Sequence, residues 1–501
     1  KVRGRGSSIR GHKGVGSGTI SWIRQLNNTA VNVDQLGVRQ GAIAIYQDIW
    51  HIDIRNHLDL RLNNGDERLR AHDIFPGVTI PDLFMEQLEK KGDWYLFDPH
   101  EVRTVTGKNM EDFYDEEFGS GSFRDFYWQC VNDPRIEKTK VKALDLYKRI
   151  LVSLLETGTP FFFFRDTVNR MNPNSHEGMI YCSNLCTEIA QNMSTTEFVT
   201  EEMTTEDGEP LIVVKKKPGD LVVCNLSSIN LGRAVTHDVL EDLIPIQVRM
   251  LDNVIDINEL PVLQATHTSQ RYRAVGLGTF GWHHLLALKG IEWESQEAVD
   301  LTDKLYEKIA YLTIKTSADL AKEKGAYPLF EGSEWQTGEY FTKRGYFDTE
   351  ESAKADKWKK LHAQISETGI RNGYLMAVAP NASTSLIAGS TATIDPIFKV
   401  HYNEEKKDAK YPVIAPDLNH NTYNVYRKGA YQTDHFWSVE QNIARQRHVD
   451  QAISFNMYVP KTINVGILRD LHFKAWRGGM KTFYYLRSTA LEVEDCEWCE
   501  S

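Results

Sequence analysis

Residues 182–188 read CSNLCTE and bring two thiols, an amide and a carboxylate into seven positions. Such a string is compatible with a metal ligand pair, a disulfide, a buried apolar turn or a reactive cysteine. Asn184 and Glu188 flank Cys186 at spacings that can place a hydrogen-bonding amide and a carboxylate base beside its sulfur. Buried structural cysteines are commoner than reactive ones, so the string alone does not identify a reactive cysteine. Other motifs of the chain are needed to choose between these interpretations.

Cysteines elsewhere in the chain add to this set. Cys224 lies in the apolar segment LVVCNLSSINLG, which by itself is typical of a packed thiol. Cys496 and Cys499 form a CEWC string in an acidic segment with few apolar residues. A structural zinc site would need a second ligand pair at zinc-finger distance, and none is present there. Thiol–disulfide exchange is therefore the favoured interpretation of the terminal pair.

Two strings could contact phosphates. MAVAPNASTSLIAG begins an apolar helix with small hydroxyl residues, which can offer backbone N–H groups and hydroxyls to a phosphate, although the same letters also form an ordinary helix cap. The positions concerned are Asn381, Ala382, Ser383 and Thr384. The string GLGTFG at 276–281 satisfies GxGxxG. It follows the poor strand RYRAV and has no acidic residue in the usual place, which disfavours a dinucleotide site.

Tyr484 and Tyr485 stand side by side in KTFYYLRS. Adjacent tyrosines are usually strand residues that face opposite sides of a sheet. A stacked pair could instead relay an electron and a proton toward a buried thiol. The sequence leaves both possibilities open.

The composition limits the class of protein. The 501 residues carry a net charge of -11 with a pI near 5.9, which argues against long nucleic acid as a partner. No apolar run approaches the roughly 18 residues of a membrane span, and no signal peptide is recognised. Six cysteines are too few and too unevenly placed for a secreted disulfide framework, so a cytoplasmic protein without a membrane partner is predicted.

Short apolar strands alternate with helices along the chain, which is the pattern of an α/β protein. Strands are predicted for AIAIYQDIW and PFFFF. Helices are predicted for TISWIRQLNNTAVN, IPDLFMEQLEKKG, KVKALDLYKRILVSLLETG and IRNHLDLRLNN. The last of these helices is predicted to end at Asn64-Gly65. The polar stretch 189–220 predicts a surface hairpin. Falling apolar content from Arg487 onward predicts a mobile tail over 487–501.

Taken together, these segments resemble the large catalytic subunit of class I ribonucleotide reductase over nearly the whole chain. The most specific segment is WKKLHAQISETGIRNGYLMAVAP, which fits a family signature at Trp358, Leu361, Gly369, Arg371, Asn372 and Pro380. SNLCTEI, the paired tyrosines and the terminal CxxC fit as well. The resemblance implies a ten-stranded α/β barrel over residues 1–486, with Cys186 on an inner loop, followed by a flexible redox tail over 487–501.

The resemblance also implies roles for the cysteines and their neighbours. Cys186 corresponds to the cysteine that becomes a thiyl radical and takes the ribose 3′-hydrogen. Glu188 corresponds to the base for the 3′-hydroxyl, and Asn184 to the amide that holds the ribose hydroxyls. Cys224 corresponds to one thiol of the dithiol that reduces the 2′ position. The pair that re-reduces this dithiol corresponds to Cys496 and Cys499.

Partners follow from the same resemblance. Tyr484 and Tyr485 correspond to a relay that brings the radical from a separate, metal-containing small subunit. Residues 381–384 correspond to the phosphate loop for ribonucleoside diphosphate substrates. Family members more often carry Ser or Thr at the position of Asn381, so a hydroxyl contact is lost there. No metal or cofactor is expected on this chain itself, and a thioredoxin- or glutaredoxin-type protein is the implied reductant.

Two glycine loops, 10–18 and 34–42, correspond to the loops through which a bound effector nucleotide, a dNTP or ATP, sets the choice of substrate. Arg10 and Arg39 are the predicted effector contacts, since arginines beside glycine loops suit phosphate binding and conformational switching. The resemblance further implies a dimer of the large subunit.

Two family features have no counterpart in the sequence. The redox cysteine that pairs with the position of Cys224 lies upstream of the effector loops in the family. No cysteine precedes Cys130 here, and its helical context DFYWQCVND does not match. The ATP-binding cone of many members is also missing. The sequence is therefore predicted to be the C-terminal two thirds of a catalytic subunit, split or truncated, that needs a separate N-terminal polypeptide.

Three other classes of function fit the sequence less well. A cobalamin-dependent class II reductase shares the barrel and the cysteines but has no use for a tyrosine relay, so the tyrosine pair favours class I. An inactive regulatory or assembly paralogue would not need all of the candidate residues. A glycyl-radical enzyme is disfavoured because the only similar string, Arg273 to Leu277, lies far from the C-terminus and lacks the aromatic residue.

Overall fold

The computed structural model describes residues 2–35, 39–349, 351–406 and 409–489. Its strands are β1 (Asp34–Gln35), β2 (Arg39–Gln40), β3 (Ile43–Asp48), β4 (Ile74–Ile80), β5 (Asp93–Phe97), β6 (Lys138–Lys142), β7 (Phe161–Phe164), β8 (Glu197–Glu206), β9 (Glu209–Lys217), β10 (Leu226–Asn230), β11 (Gly276–Phe280), β12 (His401–Lys406), β13 (Ala409–Ile414), β14 (Met457–Val459), β15 (Thr482–Phe483) and β16 (Leu486–Ser488).

The α-helices of the described residues are α1 (Ile20–Asn32), α2 (Ile54–Leu58), α3 (Asp82–Glu89), α4 (Pro99–Thr106), α5 (Ser122–Asn132), α6 (Ala143–Thr157), α7 (Arg165–Arg170), α8 (Leu231–Ala234), α9 (Leu240–Ile257), α10 (Leu263–Tyr272), α11 (Trp282–Lys289), α12 (Gln296–Lys324), α13 (Glu334–Thr337), α14 (Glu339–Lys343), α15 (Ser352–Thr368), α16 (Ala382–Ile387), α17 (His420–Tyr426), α18 (His435–Gln446) and α19 (Val465–Arg477). None of these helices is both long and apolar enough to cross a bilayer.

Two groups of mainly parallel strands form the frame that carries the candidate site. In the first group, β3, β4 and β7 are parallel neighbours and β15 pairs antiparallel with β7. In the second, β10 and β11 are parallel, and the parallel bridges Leu277–Met376 and Val378–Ile453 add two further segments. The predicted α/β class is confirmed. Within the described ranges, the strands form separate sheets and do not close into a barrel.

Most of the predicted elements are confirmed where the hydrophobic pattern is strong. β3 and β7 lie within AIAIYQDIW and PFFFF, and α1, α3 and α6 lie within three of the four predicted helices. β7 consists of four buried phenylalanines, as expected of a strand that packs on both faces. α6 is followed by Gly158, whose φ of +72° allows the left-handed helix cap that turns the chain toward β7.

The helix predicted over IRNHLDLRLNN is shorter than its pattern. α2 ends at Leu58, and the following residues form turns. His57 Nε2 hydrogen-bonds to Gly77 O at 2.9 Å, and Arg149 Nε donates to Asp59 Oδ1 at 2.7 Å. These tertiary contacts override the helical propensity of the segment beyond Leu58.

The GxGxxG match at 276–281 is not a phosphate-binding turn. Residues Gly276–Phe280 form β11, and every residue of this strand is buried. A Cβ atom at Gly278 would lie 2.3 Å from Ala377 O, so glycine allows the neighbouring backbone to approach closely. The glycines therefore serve strand packing.

The predicted surface hairpin is formed by β8 and β9, which pair antiparallel. Nearly all of its residues are exposed. Ion pairs join the acidic first strand to the basic end of the second, at Lys215–Glu202 and Lys217–Glu197. At the base of the hairpin, Ser194 Oγ donates to Asp220 Oδ2 at 2.7 Å.

Candidate active site

Cys186 lies in a tight turn that Asn184 closes. The Asn184 N–H donates to Ile189 O at 3.2 Å, and the Ile189 N–H donates to Asn184 Oδ1 at 3.0 Å. The Thr187 N–H donates to Asn184 O at 3.2 Å. An asparagine that bonds its own neighbouring backbone in this way is a common turn former. The local sequence thus fixes Cys186 and Glu188 relative to one amide.

The Tyr484 hydroxyl reaches this turn from the other end of the chain. Tyr484 Oη donates to Cys186 Sγ at 3.5 Å. Burial raises the pKa of Tyr484 far above its ordinary value, so the hydroxyl keeps its proton at neutral pH. The ring of Tyr485 lies 4.3 Å from that of Tyr484, centroid to centroid, at an interplanar angle of 52°. The two rings are therefore in contact, as a relay requires.

Aromatic and cationic neighbours hold the tyrosine pair. The Phe161 ring of β7 lies 4.9 Å from the Tyr484 ring and 5.0 Å from the Tyr485 ring. The Arg487 guanidinium lies 5.1 Å from the centroid of Tyr485, within the range of a cation–π interaction. These contacts fix both rings against a buried strand.

Glu188 is a buried carboxylate, with 2% of the residue exposed. Desolvation raises the pKa of its carboxyl above the ordinary value, while hydrogen bonds from Asn184 and Ser454 act in the opposite direction. Ser454 Oγ lies 3.1 Å from Glu188 Oε2. A carboxylate with a raised pKa is a stronger base than an exposed one, so Glu188 can accept a proton from a bound hydroxyl.

Asn184 also contacts the second candidate thiol. Its Nδ2 donates to Cys224 Sγ at 3.7 Å. Partial desolvation raises the pKa of Cys224 to about 11, and the negative charge of Glu188 adds to this effect. Cys224 is therefore a protonated thiol at neutral pH. The structure thus brings the candidates Cys186, Asn184, Glu188, Cys224, Tyr484 and Tyr485 into one cluster.

Cys182, the other cysteine of the opening string, has a different environment. Its Sγ lies 3.8 Å from Met193 Sδ, and desolvation raises its pKa to about 11. The contact with Met193 is that of a thiol that packs like a small apolar residue.

Ser454 and Thr482 contact the turn but were not singled out from the sequence. Ser454 Oγ donates to Cys186 O, and Thr482 Oγ1 donates to Thr187 O at 3.2 Å. Hydroxyl residues are common in every part of the chain, so the sequence carried no signal that could have identified these two.

Tyr46 of β3 is a further contact that sequence reasoning missed. Its Oη lies 2.7 Å from Ser183 Oγ, and Ser183 Oγ donates to Asn184 O at 2.9 Å. A Cβ atom at Gly77 would lie 2.4 Å from the Tyr46 ring, so the neighbouring strand needs glycine there to admit the ring. The predicted strand gave the position of Tyr46 but not the direction of its side chain.

The predicted phosphate-binding residues begin α16. Asn381 has a left-handed backbone, with a φ of +52°, and its Nδ2 donates to Ser228 Oγ at 2.9 Å. This bond ties the start of α16 to β10, the strand that follows Cys224. Ala382, Ser383 and Thr384 are exposed on the first turn.

The structure describes the first predicted effector loop, 10–18, more completely than the second, 34–42. The Asp53 carboxylate accepts the Arg5 N–H at 3.1 Å and the Thr19 N–H at 2.9 Å, which joins the two flanks of loop 10–18. Arg10 is exposed on this loop, with a φ of +49°. Residues 36–38 and the side chain of Arg39 in loop 34–42 lie outside the described part of the chain. Cys496 and Cys499 also lie outside it.

Asp395 is another buried carboxylate of this region, and it should make stability depend on pH. Asn456 Nδ2 donates to its Oδ2 at 2.8 Å, and desolvation raises the pKa of Asp395 from 3.8 to about 6. Because the folded-state pKa is raised, the stability that Asp395 contributes is fully present below the unfolded-state pKa. It is lost as the pH rises through the folded-state pKa.

We expect Asp395→Asn to remove this contribution, which is on the order of 3 kcal/mol between pH 4 and pH 7. Urea unfolding of both proteins at several pH values measures the effect. The exposed Asp356→Asn variant is the control and should keep the wild-type profile. An unchanged pH dependence in Asp395→Asn would contradict the prediction.

Comparison with known proteins identifies the family of this chain. Residues 1–486 match the family described as ribonucleotide reductase, barrel domain. The chain is 47% identical, over its full length, to ribonucleoside-diphosphate reductase subunit alpha of Treponema pallidum, of which it covers 58%. It is 39% identical over 99% of its length to the subunit alpha of Helicobacter pylori, of which it covers 66%. The subunit alpha of Synechocystis is 34% identical over 97% of the chain, which covers 61% of that relative.

The chain thus spans about three fifths of the length of the curated relatives that it matches. The family match includes both strand groups and all of the candidate residues of the cluster around Cys186. The chain therefore belongs to the ribonucleotide reductase barrel-domain family.

Proposed function

We propose that the chain is the catalytic part of a class I ribonucleoside-diphosphate reductase, which converts ribonucleoside diphosphates to deoxyribonucleotides for DNA synthesis. The observation that carries this proposal is the contact of the Tyr484 hydroxyl with the Cys186 thiol at 3.5 Å, with the Tyr485 ring in contact with the Tyr484 ring. A phenol and a thiol at this distance can exchange a hydrogen atom. A metal-containing small subunit supplies the radical, which Tyr485 and Tyr484 pass to Cys186.

The reaction starts from the Cys186 thiyl, which takes the hydrogen atom from ribose C3′. Glu188 accepts the 3′-hydroxyl proton, and the 2′-hydroxyl leaves as water with a proton from a dithiol that includes Cys224. The dithiol then gives a hydrogen atom to C2′ and a further electron to the 3′-carbonyl, which takes its proton back from Glu188, and the two thiols become a disulfide. Cys186 then returns a hydrogen atom to C3′, which regenerates the thiyl. The contacts of Asn184 with Cys224 and with the Cys186 turn support its role in holding the ribose hydroxyls.

The dithiol needs a second cysteine, and we propose that polypeptide outside these 501 residues supplies it, on the same chain or on a separate one. The same polypeptide adds the strands that complete a ten-stranded barrel. That the relatives are longer than the matched region supports this. Cys496 and Cys499 re-reduce the disulfide and exchange electrons with a thioredoxin- or glutaredoxin-type protein.

Substrate and effector binding complete the proposal. Residues 381–384 hold the substrate diphosphate, and the bond from Asn381 to β10 supports a position near Cys224. Loops 10–18 and 34–42, with Arg10 and Arg39, bind a dNTP or ATP effector in a dimer of large subunits.

Reduction of CDP tests the proposed function. The purified chain is assayed with the small subunit and dithiothreitol, with and without a polypeptide that covers the remaining part of a relative. We expect turnover that needs the small subunit and the added polypeptide. Turnover without the added piece would overturn the proposed origin of the second thiol. Turnover that needs adenosylcobalamin in place of the small subunit would assign class II, and no turnover in any arm would contradict reductase activity.

Glu188→Gln is expected to lower kcat about 10²- to 10⁴-fold, because glutamine keeps the shape of the side chain but cannot accept the 3′-hydroxyl proton. Substrate binding should change little, since the amide still hydrogen-bonds. Glu334→Gln is the matched control, because Glu334 is also buried and its pKa is also raised by desolvation. Equal kcat values for the two variants would rule out Glu188 as the base.

A further inference from the structure

Thr187, between the proposed radical cysteine and the proposed base, has an unusual backbone conformation. Its φ is +68°, and the residue is fully buried. Left-handed backbone is strained for a β-branched residue. The Thr187 hydroxyl has no hydrogen-bond partner among the described residues, so its side chain does not compensate for the strain. Conformations of this kind persist only when the surroundings impose them.

Three consecutive carbonyls of this turn are each bound by a different donor. Cys186 O accepts from Ser454 Oγ, Thr187 O accepts from Thr482 Oγ1 at 3.2 Å, and Glu188 O accepts from Ala452 N at 2.9 Å. We name these three hydrogen bonds the carbonyl clamp. All three donors are buried, so water cannot readily replace them. The clamp therefore sets the orientation of the peptide groups on both sides of Thr187.

The two hydroxyls of the clamp also bind other groups of the site. The single hydroxyl hydrogen of Thr482 is shared between Thr187 O and Ile453 O, which lies 3.1 Å from Oγ1, so this residue joins the turn to the segment that contains Ser454. Ser454 Oγ lies 3.1 Å from Glu188 Oε2. A serine hydroxyl has one hydrogen to donate. Ser454 therefore shares that hydrogen between Cys186 O and the Glu188 carboxylate, and it can donate fully to Cys186 O once Glu188 has taken up a proton.

The segments that form the clamp also position the relay. Thr482 lies two residues before Tyr484, and the Tyr484 N–H donates to Phe455 O at 3.0 Å. Tyr484 Oη then contacts Cys186 Sγ at 3.5 Å. The same two segments therefore position both the Tyr484 hydroxyl, which would carry the radical, and the backbone of Cys186, which receives it.

We propose that Ser454 and Thr482 are positioning residues that force Thr187 into its left-handed conformation and so hold the Cys186 thiol against the Tyr484 hydroxyl. This inference rests on the proposed function, because the value of a fixed thiol–phenol distance lies in radical transfer. Neither residue has to touch the substrate in this role.

A double-mutant cycle between Thr482 and Thr187 tests the clamp. Thr482→Val keeps the side-chain shape and removes the donor, and we expect kcat to fall about 10²-fold, the scale for a misplacement of about 1 Å. The KM for CDP should stay within about twofold, since the loss arises only after binding. Thr482→Ser keeps the hydroxyl and should retain most of the activity.

Thr187→Gly removes the need for the clamp, because glycine adopts positive φ without strain. In the Thr187→Gly background, Thr482→Val should cost less than about tenfold, so the two substitutions should be strongly non-additive. The same loss of kcat in both backgrounds would overturn the proposal. Ser454→Ala provides the same comparison if Thr482→Val does not fold.

Alkylation of Cys186 gives a readout that does not depend on turnover. The rate of iodoacetamide labelling, followed on the peptide that contains Cys186, should rise in Thr482→Val and return toward the wild-type rate in Thr482→Ser. Unchanged labelling in Thr482→Val would contradict the clamp even if reductase activity is present. If the wild-type chain reduces no nucleotide with any partner, the proposed function fails, while the labelling series still reports whether the clamp exists.

Discussion

Replacing Cys186 by serine should abolish nucleotide reduction, with kcat lowered at least about 10³-fold, the scale of loss when one member of a catalytic unit is removed. Serine fits the same space, and the backbone carbonyl of residue 186 still accepts the hydrogen bond from Ser454. Its O–H bond is, however, much stronger than the S–H bond of cysteine, so hydrogen transfer to the Tyr484 radical becomes strongly unfavourable. Radical transfer then stops at Tyr484, whose hydroxyl lies 3.5 Å from Cys186 Sγ in the wild-type chain.

Cys182→Ser is the matched control for this result. Cys182 belongs to the same seven-residue string, and its Sγ contacts Met193 Sδ at 3.8 Å, as expected of a packing thiol. We expect this variant to keep its turnover. Formation of dCDP and binding of CDP are measured for both proteins. A Cys186→Ser enzyme that still forms dCDP, or a Cys182→Ser enzyme that loses turnover while remaining folded, would reverse the assignment.

Tyr484→Phe should have a comparable effect. Removing the hydroxyl keeps the ring contacts with Phe161 and Tyr485 but deletes the atom that contacts Cys186 Sγ. We expect kcat to fall at least about 10³-fold, a barrier increase of about 4 kcal/mol. A phenylalanine ring is too hard to oxidise to substitute for a phenol in the relay. Substrate affinity should be unchanged, because the lost group acts on the thiol.

Tyr147→Phe separates radical transfer from simple loss of a buried hydroxyl. Tyr147 is also buried, and its Oη lies 2.8 Å from His472 Nδ1. This variant should lose about 1 kcal/mol of unfolding free energy and keep its kcat. Rapid-quench assays of dCDP formation, together with electron paramagnetic resonance of the small-subunit radical, measure both variants. Consumption of the radical during turnover by Tyr484→Phe would exclude Tyr484 from the relay.

The elements that the sequence predicts well are those whose burial follows a simple period. α1, α3 and α6 repeat apolar residues at helical spacing, and β7 is a continuous apolar run. α2 is shorter than its pattern because His57 and Asp59 bind residues distant in the chain. For the glycine string at β11, the sequence disfavours a dinucleotide site but does not show what the glycines do. Only the position of Ala377 O shows that Gly278 serves strand packing.

The residues of the candidate site also differ in how well the local sequence predicts them. Asn184, Cys186 and Glu188 lie within one short string, so their association could be predicted from local sequence. Ser454 and Thr482 bind that string across 268 and 295 residues of chain, and no local pattern marks them. The conformation of Thr187 was equally hidden, because a threonine in a loop gives no sign of positive φ.

The β8–β9 hairpin separates Cys186 from Cys224 in the chain without separating them in space. Its strands are exposed, and Ser194 and Asp220 close its base, so the Asn184–Cys224 contact does not depend on how far the hairpin extends. Insertions and deletions can therefore accumulate there at little cost to the spacing of the thiols. A motif search that fixes the number of residues between these cysteines will overlook relatives, whereas one that allows a variable gap will find them. The tip of the hairpin is also a convenient place to graft an affinity tag.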